Sequence, residues 1–409
     1  MQSESQLSRR GLLGLSAGAA LGVGLAGCAS SQATRTPPQR SPSQVTSTDV
    51  ATASASVGDS GVSFHVAGEV FRPVVELMPS SRAVVKWLDG DGHELAIGSK
   101  PKIELDQADP TNPHTVVMQT TFSDVVTLNL GFNQADDAGR YSLDASHNKD
   151  AEPVVAVSGL TLMGNLRNFM AANSPLTGAL DLSGLSSLEY VECFNSSIQQ
   201  VDLRGCTGLV RLCLEANQLR HLDLNPVATT IRDLRAAAQQ GGSLALEPLA
   251  GPLSRLYHFC VRDQEVIGHP TADQLPECEE LLNWNTKQVG VVPTPPMVST
   301  LASAGNAYTT ADFAGLWTKA NPPGELDLRD SKLITISLKG CRGLRTIRLD
   351  GNSLNRRDVD ALLGEVAAWE TEDGVLSLTG SAIATPSTRS SHHVAALRER
   401  GWDVNVNRA

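Results

Sequence analysis

Along most of this chain, apolar side chains recur in one phrase. Val201 to Leu219 reads VDLRGCTGLVRLCLEANQL, and Ile336 to Leu354 reads ISLKGCRGLRTIRLDGNSL. Aligned without a gap, the two share Leu203/Leu338, Gly205/Gly340, Cys206/Cys341, Gly208/Gly343, Leu209/Leu344, Leu214/Leu349, Asn217/Asn352 and Leu219/Leu354. The leading apolar residue returns at Leu166, Leu188, Leu209, Ile231 and Leu253, at intervals of 22, 21, 22 and 22 residues. Alternating apolar positions predict a short strand, and the Asn that follows predicts a turn. A unit this small cannot bury its own apolar side, so the units must stack.

The shared phrase is L-x-x-L-x-L-x-x-N-x-L, with Ile347 at the second Leu of the later copy. It resembles the leucine-rich repeat family. The resemblance implies a mainly β fold with α/β character. It is a solenoid whose parallel strands line one concave side, with loops and 3₁₀ turns on the convex side, and it follows a small β-sandwich-like domain. Val125-Leu128-Leu130-Asn133 leads into the array. After Leu253 the register loosens. Cys278-Leu281 and Val298-Leu301-Asn306 fit in part, around Pro-rich 291–296, and the pattern recovers at Leu326-Leu328-Ser331-Leu333 and at Leu344. Whether 255–320 continues the repeats or is an insertion stays open.

The flanks read differently. Ser8-Arg9-Arg10-Gly11-Leu12-Leu13 resembles a twin-arginine export signal, leading into an apolar run that ends at Leu25-Ala26-Gly27-Cys28. That tetrapeptide resembles a bacterial lipobox, which implies lipidation of Cys28 and an anchor rather than a membrane span. The general secretory route is the alternative to twin-arginine export. Residues 29–57 are Ser, Thr, Ala and Pro with few apolar clusters, the composition of a disordered tether.

From Gly61 the texture is β-like, with runs at Val62–Val66, Val70–Leu77, Ala83–Leu88, Ile103–Leu105 and Thr115–Thr121. Trp87-Leu88-Asp89-Gly90-Asp91-Gly92 resembles the W-x-x-G-D-G signature of PKD-type β-sandwich modules. It reads as a tight turn rather than a calcium loop, because the third Asp of D-x-D-x-D-G is missing. Beyond Leu354, apolar spacing over 358–366 and around 391–400 predicts helices, with strands at Val375–Leu378 and 402–406. The expected organisation is 1–28 signal, 29–57 tether, 58–124 β domain, 125–354 repeats and 355–409 C-terminal cap.

Composition narrows the function. At 41% hydrophobic and 19% charged the chain is an ordinary globular one, and its net charge of -11 argues against nucleic acid or anionic lipid headgroups as partner. After residue 30 no apolar run approaches the roughly 20 residues of a membrane span. Of seven cysteines, six lie beyond Cys28. Cys193, Cys206 and Cys341 occupy repeat positions that pack inward, so free, buried thiols are favoured over disulfides, and no C-x-x-C pair supports zinc. The disulfide alternative for the six stays open.

The concave face is the candidate site, taken by a protein or glycan partner. The positions flanking the inward leucines are Tyr190, Glu192, Phe194, Arg211, Cys213, Glu215, Asp233, Arg235, Arg255, Tyr257, Phe259, Asp327, Arg329, Arg348 and Asp350, with Trp284 nearby. Aromatics beside Arg are the usual material of binding hot spots. No hydrolase, metalloprotease, phosphate-loop or dinucleotide motif is present. His258 has no obvious carboxylate partner in sequence, His392-His393 reads as solvated surface, and Glu279-Glu280 reads as a chance pair. No cofactor, metal or catalytic residue is expected. The expectation is an exported, lipid-anchored binding protein on the outer face of the cell membrane. The alternatives are a structural envelope lipoprotein with no specific ligand and, last, an exported enzyme.

Overall fold

A computed structural model describes residues 61–106, 111–131, 153–318 and 324–408. The export signal, Cys28 and the 29–57 tether lie outside the described residues. Alternating burial along Val62–Val66 marks a strand with one face in a core. It pairs antiparallel with His114–Gln119 and Val154–Ser158, and Lys86–Asp89 and Glu94–Ile97 complete a five-stranded sheet. Phe64, Phe71 and Trp87 fill its core with ring centroids 5.5 to 5.8 Å apart. The buried Trp87 indole N–H donates to the Gly98 carbonyl at 2.9 Å. In the 89–93 turn, Asp89 Oδ1 accepts the N–H groups of Asp91 and His93, each at 2.9 Å, and Gly92 supplies a φ of 89°.

The predicted run 70–77 breaks at Pro73, which has no N–H to give a ladder. Its first half, Val70–Phe71, pairs antiparallel with Ile103–Glu104, and its second half pairs antiparallel with Val125–Asn129, Val75 opposite Leu128. There it forms one edge of a sheet with 13 strands among the described residues. Numbered along the chain, these are β1 (Val74–Leu77), β2 (Val125–Asn129), β3 (Asn168–Met170), β4 (Tyr190–Glu192), β5 (Arg211–Cys213), β6 (Asp233–Arg235), β7 (His258–Cys260), β8 (Glu280–Leu282), β9 (Thr300–Ala302), β10 (Gly324–Asp327), β11 (Leu344–Arg348), β12 (Val375–Leu378) and β13 (Asp403–Val406). Their order in the sheet is their order in the chain, and every pair from β2 onward is parallel. This is the leucine-rich-repeat-like solenoid.

Register defines the repeat. Asn168, Tyr190, Arg211, Asp233, His258, Glu280, Thr300, Glu325 and Thr346 stand side by side, at intervals of 22, 21, 22, 25, 22, 20, 25 and 21 residues. The loosened stretch is therefore three further repeats in series. Substituted leading residues (Cys278, Val298) and turns of uneven length hide it. One expectation is corrected: the fifth repeat leads with Leu256, not Leu253, because its convex turn is three residues longer. Leu253 and Leu256 are both fully buried, so composition alone cannot tell them apart.

Two ladders inside the turns confirm that register. Five residues after each aligned position the backbone is left-handed: Asn173, Asn195, Ala216, Ala238, Asp263, Asn285, Gly305, Asp330 and Gly351 have φ between 53° and 71°. Asn195 donates to Asn173, and Asn285 to Asp263, each at 2.8 Å, and a Cβ at Gly305 or Gly351 would collide with the side chain of Asn285 or Asp330. One residue later a polar side chain turns inward. Asn217, Gln239, Gln264, Asn306 and Asn352 donate to carbonyls of their own and the preceding repeat and accept N–H groups. They satisfy backbone that the stacked apolar core would otherwise strand.

The convex side holds more than loops. Short parallel sheets, 177–181 with 197–202, 221–222 with 243–246 and 265–267, and 289–291 with 307–312 and 335–337, run between the turns. At the far end, where β12 and β13 extend the sheet, α2 (Ser391–Glu399) lies against β13, and α1 (Arg356–Ala367) packs on α2 and on the strand at 335–337. Asn355 caps α1 by accepting the Asp358 N–H at 3.1 Å, and α1 buries Val359, Leu362, Leu363 and Val366. No helix among the described residues is long and apolar enough to cross a membrane. All six described cysteines are free and buried.

Candidate binding face of the solenoid

In each concave strand the middle residue points into the core and its two neighbours point out. Val191, Leu212, Leu234, Phe259 and Leu281 are the inward set of β4 to β8, all at 0% exposure. The outward residues then form rows across neighbouring strands: Tyr190, Arg211, Asp233, His258 and Glu280 in one, Glu192, Cys213, Arg235, Cys260 and Leu282 in the next. A third row follows the strands and holds Phe194, Glu215, Arg262 and Trp284.

The charges in these rows are buried and interlocked. Glu192, Arg211, Asp233 and His258 are exposed by only 8%, 9%, 2% and 7%. Arg211 Nε lies 3.2 Å from Glu192 Oε1 and 3.6 Å from Asp233 Oδ2, with neither contact in hydrogen-bond geometry. Arg235 Nε donates to Asp233 Oδ1 at 3.1 Å. His258 Nδ1 donates to Glu280 Oε2 at 2.7 Å, and its Nε2 faces Asp233 Oδ1 at 4.0 Å. Burial raises the Glu192 carboxyl above its usual range against the opposing pull of Arg211. Burial also works against charge on His258, but Cys260, the Glu280 hydrogen bond and Asp233 outweigh it and raise its pKa to about 9. Its hydrogen bond holds Glu280 low. Beside this ladder Arg262 reaches Glu215 at 3.7 Å and lies 4.9 Å over the Trp284 ring.

Tyr190, Glu192, Arg211, Cys213, Asp233 and Arg235 thus stand on the outward face, and Phe194, Glu215 and Trp284 at its turn side. Asp327, Arg329, Arg348 and Asp350 form a second charged patch, separated from the first by Leu282 of β8 and Ala302 of β9. Arg329 grips Asp327 with Nε and Nη2 at 2.9 and 2.7 Å, and Asp350 is taken by Ser377 and Thr379. Three expected residues are displaced by the shifted fifth repeat. Phe259 is an inward core residue and is removed from the face. Arg255 is exposed in the turn before β7. Tyr257 is half-buried one residue ahead of the strand, its ring centroid 6.3 Å from that of His258.

The residues missed are His258, Cys260, Glu280 and Arg262. His258 does have a carboxylate partner, and Glu280 is not a chance acid: the two stand one repeat apart. The unshifted register hid them by putting Tyr257 and Phe259 on the face.

No protein-family model matches the chain, and no curated protein matches it. Among solved structures it is similar to the LRIM1 leucine-rich repeat domain, at 17% identity and a TM-score of 0.35, over 50% of this chain and 65% of that one. The chain thus spans about two thirds of that domain. The repeat assignment rests on the strand register above.

Proposed function

We propose that the chain is an exported, lipid-anchored binding protein that holds a partner on the concave face of β4 to β8. A leucine-rich-repeat-like solenoid is a protein-interaction scaffold by architecture, so a protein is the favoured partner and a glycan the second. One observation carries the choice of face: Tyr190, Tyr257 and Trp284 gather around buried, mutually oriented Arg and acidic groups on five adjacent strands. Half-buried aromatics beside desolvated charges are the composition of binding hot spots, and a preformed charge array loses little entropy on association. The anchor rests on the Leu25-Ala26-Gly27-Cys28 motif, and metabolic lipid labelling of the full chain and of a Cys28→Ala variant tests it; equal labelling would sink it.

The face is tested by placing a photo-crosslinker at position 284 or, on the convex side, at position 200. Position 200 lines a polar groove of about 810 Å³ between Gln199 and Glu247 and serves as the control. Crosslinks to a discrete envelope, wall or medium component from 284 and none from 200 support the reading. The reverse pattern contradicts it.

A further inference from the structure

Two arginines of the concave face, Arg211 and Arg235, carry donors that no side chain or carbonyl takes up. Asp233 lies between Arg211 and Arg235, reaching the Nε edge of each at 3.6 and 3.1 Å. Among the described residues no Nη nitrogen of either guanidinium makes a hydrogen bond, and Arg211 Nη2 is fully buried without a partner. An orphaned buried donor on a charged group is costly, and native structures rarely keep one without a reason. Tyr190 stands beside Arg211 in register, and Asp233 stands beside both Arg211 and His258. The backbone under the pair is also strained. Ala216 and Ala238, which close the turns after β5 and β6, are the only alanines in a left-handed ladder otherwise built of Asn, Asp and Gly. Such strain is characteristic of functional sites.

We propose that Arg211 and Arg235 form a clamp for a single carboxylate, supplied by an acidic side chain of the partner polypeptide. Asp233 holds Arg235 through its Nε hydrogen bond and lies 3.6 Å from Nε of Arg211, and the incoming carboxylate takes the Nη donors that reach the surface, a planar match that guanidinium groups favour. Glu192, Asp233 and Glu280 around the clamp select a monoanion over a phosphate, whose second charge they repel. The inference rests on the concave face being the binding surface and adds the chemistry that the partner must carry.

The test titrates the full chain with acetyl-Ala-Glu-Ala-amide, its Gln counterpart, glucuronate and inorganic phosphate at constant ionic strength, reading heat of binding and thermal midpoint. The Glu peptide is expected to bind and raise the midpoint. The Gln peptide and phosphate are expected to do neither. Arg211→Lys, which keeps charge but loses the fork, and Arg235→Gln should each weaken the Glu peptide about tenfold or more, the worth of one charge-assisted hydrogen bond. Far-UV circular dichroism checks that both variants are folded, and the more exposed Arg235 supplies the answer if Arg211→Lys is not. Equal binding of Glu and Gln peptides, or equal response to phosphate, overturns the clamp. Binding of glucuronate in preference to the peptide overturns the polypeptide source. Crosslinking from position 284 that persists in both variants leaves the face in place and removes the clamp from partner binding.

Discussion

His258 Nδ1 donates to Glu280 Oε2 across 2.7 Å, so two residues 22 positions apart in sequence form one ion pair on neighbouring strands. The imidazolium is the stabilised form there. At the other side of the same repeat, His269 is held neutral. Its Nδ1 donates to the Pro270 carbonyl at 2.8 Å, its Nε2 accepts from Asn283 at 3.0 Å, and burial lowers its pKa from 6.5 to about 4.

These two histidines set a pH optimum. His258 titrates near 6.5 unfolded and about 9 folded, so its contribution is complete below pH 6.5 and is lost as pH rises to about 9. His269 is depressed when folded, so the unfolded chain binds the extra proton and stability is lost as pH falls from 6.5 toward 4. Stability should peak near pH 6.5, with each limb approaching about 1.4 kcal/mol per pH unit. Chemical denaturation across pH should show His258→Gln flattening the alkaline limb and His269→Gln the limb between pH 6.5 and 5. A flat profile in the parent chain would contradict the account.

The left-handed ladder predicts gains as well as losses. An L-residue with a Cβ is disfavoured there by about 1–2 kcal/mol, and Asn or Gly less so. Ala216→Gly and Ala238→Gly should each stabilise by about 0.5–1 kcal/mol in urea titrations. Gly305→Ala and Gly351→Ala should destabilise, because their Cβ atoms meet the side chains of Asn285 and Asp330. If the Ala216→Gly chain proves less stable, the strain argument at this site is lost.

The inward amide ladder is a separate prediction. Asn217 donates to Cys193 and Leu214 carbonyls at 2.7 and 3.1 Å and accepts the Ile198 N–H at 3.0 Å. Asn217→Ala strands buried backbone groups in two repeats, at a cost of about 3 kcal/mol. A loss under 1 kcal/mol in equilibrium unfolding would mean that water replaces the amide there.

The corrected register separates two neighbouring aromatics. Phe259→Ala empties a core position and should cost about 3–5 kcal/mol. Tyr257→Ala, two residues earlier and half-buried, should cost far less. Comparable losses from the two would return the fifth repeat to its unshifted phase.

Much of this fold is legible in the chain. The Leu spacing predicts the stacked parallel strands, Asn217 and Asn352 predict the turn amides, and the apolar spacing over 358–366 falls within α1. The shift at Leu256 was not legible, because Leu253 fits the same pattern and only pairing across strands separates them. Hence Phe259 looked like surface and His258 like an isolated histidine. The convex sheets are not legible in the sequence, because strands of two to six residues leave no periodicity of their own. The clamp geometry depends on which guanidinium edge Asp233 takes, and sequence carries no trace of that.

The most direct test of the central claim is capture by the full chain compared with two double variants, one on each face. Tyr190→Ala with Arg235→Ala alters the concave rows, and Gln199→Ala with Gln200→Ala alters the convex groove, with equal thermal midpoints as the condition for comparison. The account predicts that a partner identified by crosslinking at position 284 is lost by the concave variant and kept by the convex one. A partner kept by the concave variant and lost by the convex one would contradict it.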